Sequence, residues 1–238
     1  MTDKQLYCIR HGESQFNEWR TRSLWTFSWI YERDPMILDP RLSAKGEQQV
    51  AKLYELIQSK NLHEKVEVIV VSPLTRAIQT AAGGFKDATI PYQVEPSCRE
   101  YLDTSSDIGR AADEISRDFQ ALSLDVSALE EYWWVRPHLR VDETIVKVPK
   151  TYQEVLRLRE TSAQLDERIK EFITKLVSMP QQHIAVVGHS HFFKKMLGMS
   201  RKLANCELAV VSLDEVAKRH GVALNAVPTD ATSSAASD

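Results

Sequence analysis

The sequence predicts an α/β fold of three layers, in which helices cover both faces of a mostly parallel central sheet. Short, continuously apolar runs alternate with segments of helical period, and such runs are typical of strands buried on both faces. Two of these runs, residues 6–9 and 184–187, are each followed within two residues by a histidine, His11 and His189. Open α/β sheets bind ligands beyond the carboxyl ends of their strands, so the two histidines mark the predicted site.

The other elements are predicted from apolar periodicity and from capping residues. A helix is expected over 44–59, because Ser43 is a suitable N-cap and the apolar residues that follow share one face. Pro73 suits the first turn of a second helix, which ends at Gly83 and Gly84. The other predicted strands lie at 66–71, 92–94 and 207–213. The other predicted helices lie near 111–122, 152–177 and 189–197.

The length of 238 residues, of which 43% are hydrophobic, is enough for one domain with a substantial core. We predict a single domain over residues 1–222. Residues 100–150 have a looser pattern of polar turns, and we expect them to form an inserted cap over the site. Residues 223–238 are predicted to be a disordered tail, because their end lacks apolar periodicity.

Charge and cysteine content narrow the class of protein. A formal net charge of −3 is not that of a nucleic-acid-binding protein, which needs a dominant basic surface. The three cysteines, Cys8, Cys98 and Cys206, lack the spacing of a disulfide framework or a zinc site. There is neither the apolar core of a signal peptide at the start nor an apolar run of membrane-spanning length. We therefore expect a cytoplasmic protein with neither a nucleic-acid nor a membrane partner.

Three sequence blocks, each after a predicted strand, carry a resemblance to a known family. The blocks are Arg10-His11-Gly12-Glu13-Ser14 with Asn17, Ser72-Pro73-Leu74-Thr75-Arg76-Ala77 with Thr80-Ala81, and Gly188-His189-Ser190. In this order they resemble the histidine phosphatase (phosphoglycerate mutase-like) superfamily, and the framework covers most of residues 5–213. Segment 100–110, in which a glutamate precedes an Asp-x-Gly, is most similar to the plant and fungal branch.

The resemblance implies that His11 is the nucleophile that becomes phosphohistidine and that His189 is a second, phosphate-binding histidine. A phosphate monoester carries close to two negative charges, which fixed donors must neutralise while the nucleophile approaches in line. Arg10 and Arg76 offer planar forks of donors, and Asn17 offers an amide, although it is also a plausible helix cap. Attack requires a neutral imidazole, so we expect a backbone carbonyl to hold the other ring nitrogen as a donor.

Proton transfer requires a carboxyl group as well. The leaving oxygen needs a proton and the phosphohistidine then needs an activated water, and one acid can serve both steps in turn. The resemblance implies that Glu100 is this acid, with Asp103 and Asp107 as rivals. His189 opens a predicted helix whose first N–H groups are expected to face the anion. No cofactor or metal is predicted, since His189 and His191 do not share a helical face.

Two groups of residues leave alternatives open. The tryptophans lie in segments predicted to roof the site, where they either line an aromatic cleft or, as we favour, pack an irregular cap. They are Trp19, Trp25, Trp29, Trp133 and Trp134. A basic cluster is either a solvated surface or an aid in attracting an anionic substrate. It consists of Lys194, Lys195, Arg201 and Lys202.

The residues around the site favour hydrolysis over phosphoryl exchange. The segments after His11 and after Glu100 lack the substrate motifs of phosphoglycerate mutases, whereas residues 39–46 resemble those of phosphatase branches. We predict a metal-independent phosphomonoesterase whose partner is a small-molecule phosphate ester, with no oligomeric state specified. The alternatives are a mutase-type phosphotransferase and a non-catalytic regulatory protein that binds a phosphorylated ligand.

Overall fold

In a computed structural model, residues 4–224 are described, and strands alternate with helices along most of the chain. The strands are β1 (Gln5–Arg10), β2 (Val68–Val71), β3 (Tyr92–Val94), β4 (His183–Gly188) and β5 (Leu208–Ser212). The helices of the first half are α1 (Gln15–Thr26), α2 (Ala44–Ser59), α3 (Leu62–Lys65), α4 (Thr75–Gly84) and α5 (Ala112–Asp118). Those of the second half are α6 (Pro137–Arg140), α7 (Tyr152–Leu158), α8 (Ser162–Ser178), α9 (Ser190–Met196) and α10 (Leu213–His220).

The central sheet has the strand order β3-β2-β4-β1-β5 within residues 4–224. Strands β3, β2, β4 and β1 are parallel, whereas β5 is antiparallel to β1 at the edge. The predicted α/β class with a mostly parallel sheet is confirmed, and the edge strand makes the sheet mixed. In the register of β1 and β4, Arg10 pairs with Gly188, so His11 and His189 leave the sheet side by side.

Alternate residues of each central strand face opposite layers, as a doubly covered sheet requires. In β1, Leu6 and Cys8 pack into one hydrophobic cluster, and Tyr7 and Ile9 pack into the other. Apolar residues of α2 and α4 complete the second cluster, and those of α8, α9 and α10 complete the first. The helical layers therefore cover the sheet on both sides.

The predicted long helix over 152–177 is wrong, because the chain breaks between α7 and α8. Glu160 lies in the break and is only 4% exposed. Its carboxylate accepts hydrogen bonds from Arg99 at 2.8 Å and from Arg168 at 2.6 and 2.9 Å. Thr161 then caps the new helix. The break places the Glu160 carboxylate against Arg99, which lies far earlier in the sequence. A local helical pattern does not reveal such a contact.

Smaller differences concern other boundaries. Helix α4 begins at Thr75 rather than at Pro73, because the carboxylate of Asp39 accepts both the backbone N–H and the hydroxyl of Thr75 at 2.7 and 2.5 Å. The helix expected near 111–122 ends at Asp118 and is followed by a 3-10 turn at Gln120–Leu122. Helices α3, α6 and α10 have no counterpart among the predicted helices, and α1 was indicated only by a possible cap. Of the predicted tail, residues 225–238 lie outside the described residues.

Two tryptophans anchor residues 100–150 to the core, where packing was the favoured interpretation. Trp133 and Trp134 are 1% and 3% exposed, and their rings meet edge to face with centroids 5.5 Å apart. Their indole N–H groups donate to the carbonyls of Arg110 and Lys147. A Cβ at Gly109 would lie 2.1 Å from the ring of Trp133, so glycine is required for this contact.

Gly46, in the first turn of α2, allows this helix to contact the loop after β1. A Cβ at this position would lie 2.0 Å from the carbonyl oxygen of Glu13. We expect Gly46→Ala to lower the free energy of unfolding by about 1–3 kcal/mol through overpacking, although alanine favours helices. Urea denaturation measures the change, with the exposed Gln48→Ala as the near-neutral control. A Gly46→Ala protein as stable as the wild type would contradict this contact.

Candidate active site

A cleft of about 280 Å³ lies at the carboxyl ends of β1 and β4. Five of the six predicted site residues line it, namely Arg10, His11, Asn17, Arg76 and Glu100. The sixth, His189, is fully buried against His11, with ring centroids 5.1 Å apart and planes inclined by 55°. The structure therefore brings together residues that are up to 179 positions apart in the sequence.

His11 is held as a neutral nucleophile would be. Its Nδ1 donates to the carbonyl of Gly12 at 2.6 Å, which is the backbone contact expected from the sequence. This tautomer leaves the lone pair of Nε2 free. Burial lowers the pKa of His11 well below its ordinary value, and the nearby guanidinium groups of Arg76 and Arg10 lower it further. The side-chain amide of Asn205 donates to the carbonyl oxygen of His11 at 2.9 Å and fixes the main chain.

His189 contributes a second neutral imidazole. Its Nε2 is 2.7 Å from the hydroxyl of Ser72, the residue that follows β2. Burial lowers the pKa of His189 well below its ordinary value, and Arg76 contributes in the same direction. The buried Nδ1 of His189 has no hydrogen-bond partner among residues 4–224. Buried polar atoms are rarely left unsatisfied, and at a binding site a ligand can supply the partner.

The two arginines are tethered by one part of each guanidinium group. Arg10 donates from Nη1 to the carbonyl of Leu203 at 2.6 Å, and its buried Nε has no partner in the described chain. Arg76 donates from Nη1 to the carbonyl of Ser106 at 2.5 Å and from Nη2 to Asp107 at 3.0 Å. These contacts orient both side chains at the cleft and leave further N–H groups for an anion.

Asn17 caps a helix and also lines the cleft. Its Oδ1 accepts the backbone N–H of Ser14 at 3.3 Å, and the Ser14 hydroxyl accepts the N–H of Asn17 at 3.2 Å. This capping box starts α1. The amide nitrogen of Asn17 is not used by the box, so the same side chain still offers a donor to the cleft.

Glu100 lies at the N-terminus of α9, where the sequence predicts that the phosphate binds. Its carboxylate accepts the backbone N–H groups of His191 and Phe192 at 3.2 and 3.0 Å and the hydroxyl of Ser190 at 3.2 Å. The expectation that the first N–H groups of this helix face the ligand is therefore wrong. The physical reason is that a buried carboxylate already satisfies the positive end of α9.

Arg168, a buried arginine that the sequence did not indicate as a functional residue, holds the main chain around Glu100. Arg168 of α8 donates to the carbonyls of Ser97, Arg99 and Glu100 at 2.9, 2.8 and 3.2 Å. Its charge is balanced by Glu160, which it shares with Arg99. Arg99 itself does not line the cleft. The available signal was that Arg168 lies on the apolar face of its helix.

The two rival carboxyl groups also line the cleft. Asp107 is 5% exposed and accepts hydrogen bonds from Arg76 and from the backbone N–H groups of Thr104 and Asp103. Burial raises the pKa of Asp107 to about 6, against the opposing effect of Arg76. Asp103 forms an ion pair with Arg159 at 2.5 Å, and both side chains are 40% exposed. Glu100 and Asp107 are thus buried carboxyl groups of the cleft, together with Glu13, which forms an ion pair with Lys45 at 2.9 Å.

The aromatic and basic groups of the sequence contribute little to the cleft. None of the tryptophans lines it, so the aromatic-lined cleft is not what the structure shows. Lys195 pairs with Asp166 and Arg201 pairs with Glu207, whereas Lys202 lies at the cleft. Among residues 4–224 there is no group of three or more His, Cys, Asp or Glu side chains that could hold a metal ion. No helix in this part of the chain could cross a membrane.

Comparison with known proteins identifies the family. The model of the histidine phosphatase superfamily (branch 1) matches residues 6–215, so the chain belongs to this superfamily. Phosphoglycerate mutase-like protein 1 of Arabidopsis thaliana is 24% identical to it, over 86% of this chain and 79% of the relative. A probable phosphatase of Schizosaccharomyces pombe is 26% identical, over 92% of this chain and 85% of the relative. The predicted family and its plant and fungal relatives are confirmed.

Solved structures show the same fold. A proposed alpha-ribazole-5′-P phosphatase from Escherichia coli superposes with a TM-score of 0.53 at 19% identity and covers 88% of this chain and 90% of that one. The ecdysone phosphate phosphatase of Bombyx mori, in complex with tungstate, has a TM-score of 0.52 at 15% identity, with coverage of 87% and 88%. At these identities the likeness concerns the fold.

The buried histidines predict a dependence of stability on pH. The pKa values of His11 and His189 are lowered in the folded chain, so below about pH 6.5 the unfolded chain binds protons that the folded chain does not. The free energy of unfolding should be undiminished above this pH. As the pH falls to 5, it should decrease by up to about 1.4 kcal/mol per pH unit for each histidine.

Urea denaturation between pH 7.5 and pH 5 measures this slope. The His11→Gln/His189→Gln protein should show a shallower slope than the wild type. The control is His138→Gln, which replaces an exposed histidine and should keep the wild-type slope. A double variant with an unchanged slope would show that these two rings are not the groups responsible.

Proposed function

We propose that the protein is a metal-independent phosphomonoesterase that hydrolyses a small phosphate ester through a phosphohistidine on His11. One observation carries the proposal: the neutral ring of His11 keeps a free Nε2 beside Arg10, Arg76 and the unsatisfied nitrogen of His189. The relationship to the probable phosphatase of Schizosaccharomyces pombe supports hydrolysis as the outcome. The free cysteines at positions 8, 98 and 206 suit a cytoplasmic location, which we also propose.

In the first step, Arg10, Arg76, Asn17 and His189 bind the phosphate dianion. Nε2 of His11 attacks phosphorus in line with the ester oxygen, forming a P–N bond as the P–O bond breaks. The electron pair of the broken bond stays on the leaving oxygen, which takes a proton from the Glu100 carboxyl group. The guanidinium groups supply the positive charge that stabilises the transferring phosphoryl group, so the proposal needs no metal ion.

In the second step, water attacks the phosphohistidine. The Glu100 carboxylate accepts a proton from this water while the new P–O bond forms and the P–N bond breaks. The electron pair of the P–N bond returns to Nε2, and His11 is again neutral. Inorganic phosphate leaves, and Glu100 is again protonated for the next cycle.

Within this proposal, the carboxyl groups of Glu100 and Asp107 have different tasks. The Glu100 carboxylate is fixed by the residues that directly follow His189, so it stays near the second imidazole. The Asp107 carboxylate is bound to Arg76, so we assign it the orientation of that guanidinium group. Asp107 acts through Arg76 and is a positioning residue.

The nucleophile is tested by rapid quenching with a ³²P-labelled aryl phosphate. The wild type should carry an acid-labile phosphoryl group and release inorganic phosphate, whereas His11→Ala should carry no label. Label of equal amount on His11→Ala would refute the proposed nucleophile. Absence of label on the wild type would favour a regulatory protein that only binds phosphorylated ligands. Transfer of the label to phosphoglycerate in preference to water would identify a mutase.

The acid is tested by single-turnover phosphorylation with two kinds of leaving group. Glu100→Gln should slow the reaction of an alkyl phosphate by about 10²–10⁴-fold, because the alkoxide needs a proton. It should slow that of 2,4-dinitrophenyl phosphate far less, because this leaving group departs as a stable anion. The matched control Asp107→Asn should slow both substrates to a similar extent. Exchange of the two patterns would make Asp107 the acid.

A further inference from the structure

A short segment after the nucleophile loop exposes six large apolar side chains, and the function proposed above does not use most of them. They are Leu24, Trp25, Phe27, Trp29, Ile30 and Tyr31, which we call the 24–31 patch. Trp25 is 82% exposed and Tyr31 is 92% exposed. Elsewhere in residues 4–224 the exposed large apolar residues are scattered valines and one leucine. Single exposed apolar residues are ordinary, whereas a contiguous patch marks an interaction surface.

The backbone presents the patch outward. Helix α1 ends at Thr26, and Phe27 adopts a left-handed conformation with φ of 57° before a 3-10 turn at Ser28–Ile30. The left-handed region is unfavourable for a bulky residue. This reversal leaves apolar side chains on both sides of the turn in solvent. Contacts within the described residues therefore do not account for so many apolar side chains in this segment. A partner that covers them would.

The charges beside the patch are positive. Arg20 and Arg22 precede it and Arg33 follows it, and within 20–33 only Glu32 opposes them. None of the three arginines forms an ion pair with a carboxylate of residues 4–224. The patch is thus a locally cationic surface on a chain whose formal net charge is −3.

We propose that the 24–31 patch docks the protein peripherally on an anionic lipid surface. Tryptophan and tyrosine are enriched at the boundary between headgroups and acyl chains, where one end of the ring is wet and the other is apolar. Arginine beside such residues binds anionic headgroups. This proposal departs from the prediction of no membrane partner. That prediction was based on the absence of a signal peptide and of spanning segments, and surface docking requires neither.

Two other occupants fit less well. A symmetric contact with a second copy would place the same patch on both sides of the interface, so two surfaces that carry Arg20, Arg22 and Arg33 would be brought together. The parts of the chain outside the described residues, 1–3 and 225–238, contain only Met1 and Val227 as large apolar side chains. They therefore lack the apolar groups to cover six exposed side chains.

Docking in this way would bring the cleft to the lipid surface. Leu24 belongs to the patch and also lines the cleft, and Arg20, one turn earlier in α1, lines it as well. The mouth of the cleft and the docking surface are therefore continuous. The docking itself does not depend on the reaction at His11, so it can be tested whether or not the protein is a phosphatase.

The test is flotation of the full chain with vesicles of phosphatidylcholine alone or with phosphatidylserine. The wild type should bind the vesicles that contain phosphatidylserine, less tightly at high salt, with a blue shift of tryptophan fluorescence. Trp25→Ser/Tyr31→Ser should weaken this binding more than about tenfold by removing apolar area. Arg22→Gln/Arg33→Gln should weaken it about thirtyfold on anionic vesicles, at roughly a fivefold loss per arginine.

The matched control is Val141→Ser, which removes an apolar side chain that is also 82% exposed but lies outside the patch. It should bind vesicles as the wild type does. Thermal denaturation should show all variants folded, since the replaced side chains are exposed. Wild-type binding by Trp25→Ser/Tyr31→Ser, or no binding by the wild type, would overturn the proposal. A dimer that this variant converts to a monomer, without vesicle binding by the wild type, would assign the patch to a second copy.

Discussion

The parallel pairing of β1 with β4 is the constraint on which the site depends. With Arg10 opposite Gly188, both strands end at the same level, and the backbone N–H of His11 donates to the carbonyl of Gly188 at 3.0 Å. A shift of one residue in this register would turn the side chains of one strand to the opposite face. The imidazole rings of His11 and His189 would then no longer be neighbours.

Positively charged side chains buried near His11 and His189 determine the electrostatics of the cleft. Arg76 lies close to both histidines, and its charge together with burial keeps their pKa values low. That charge is costly to bury without a partner, and Asp107 provides one. A similar arrangement recurs outside the cleft, where Glu160 pairs with both Arg99 and Arg168 and fixes the segment that carries Glu100. At the cleft, Arg10 and Arg76 are each tied to the protein by some of their donors and keep others for a ligand.

The protein combines this rigid centre with a strongly exposed segment. The residues at the carboxyl ends of β1, β2 and β4 are buried and hydrogen-bonded, so their geometry is fixed before a ligand arrives. The aromatic residues of the 24–31 patch begin eight positions after Asn17, yet they are exposed. A preorganised candidate site and an exposed apolar surface therefore lie next to each other at one edge of the cleft.

The sequence by itself determined the strands, the α/β class and the family, and it indicated the six residues that we propose as the site. Apolar runs and capping residues act over a few neighbours, and the motifs around positions 10, 76 and 189 are local strings. Tertiary structure decided that Glu100 takes the end of α9, that Glu160 interrupts a helical pattern and that Trp25 faces solvent. The first two outcomes depend on contacts between residues that are as much as 92 positions apart, such as Glu100 and Phe192. Local patterns carry no information about such contacts, nor about which apolar side chains stay exposed.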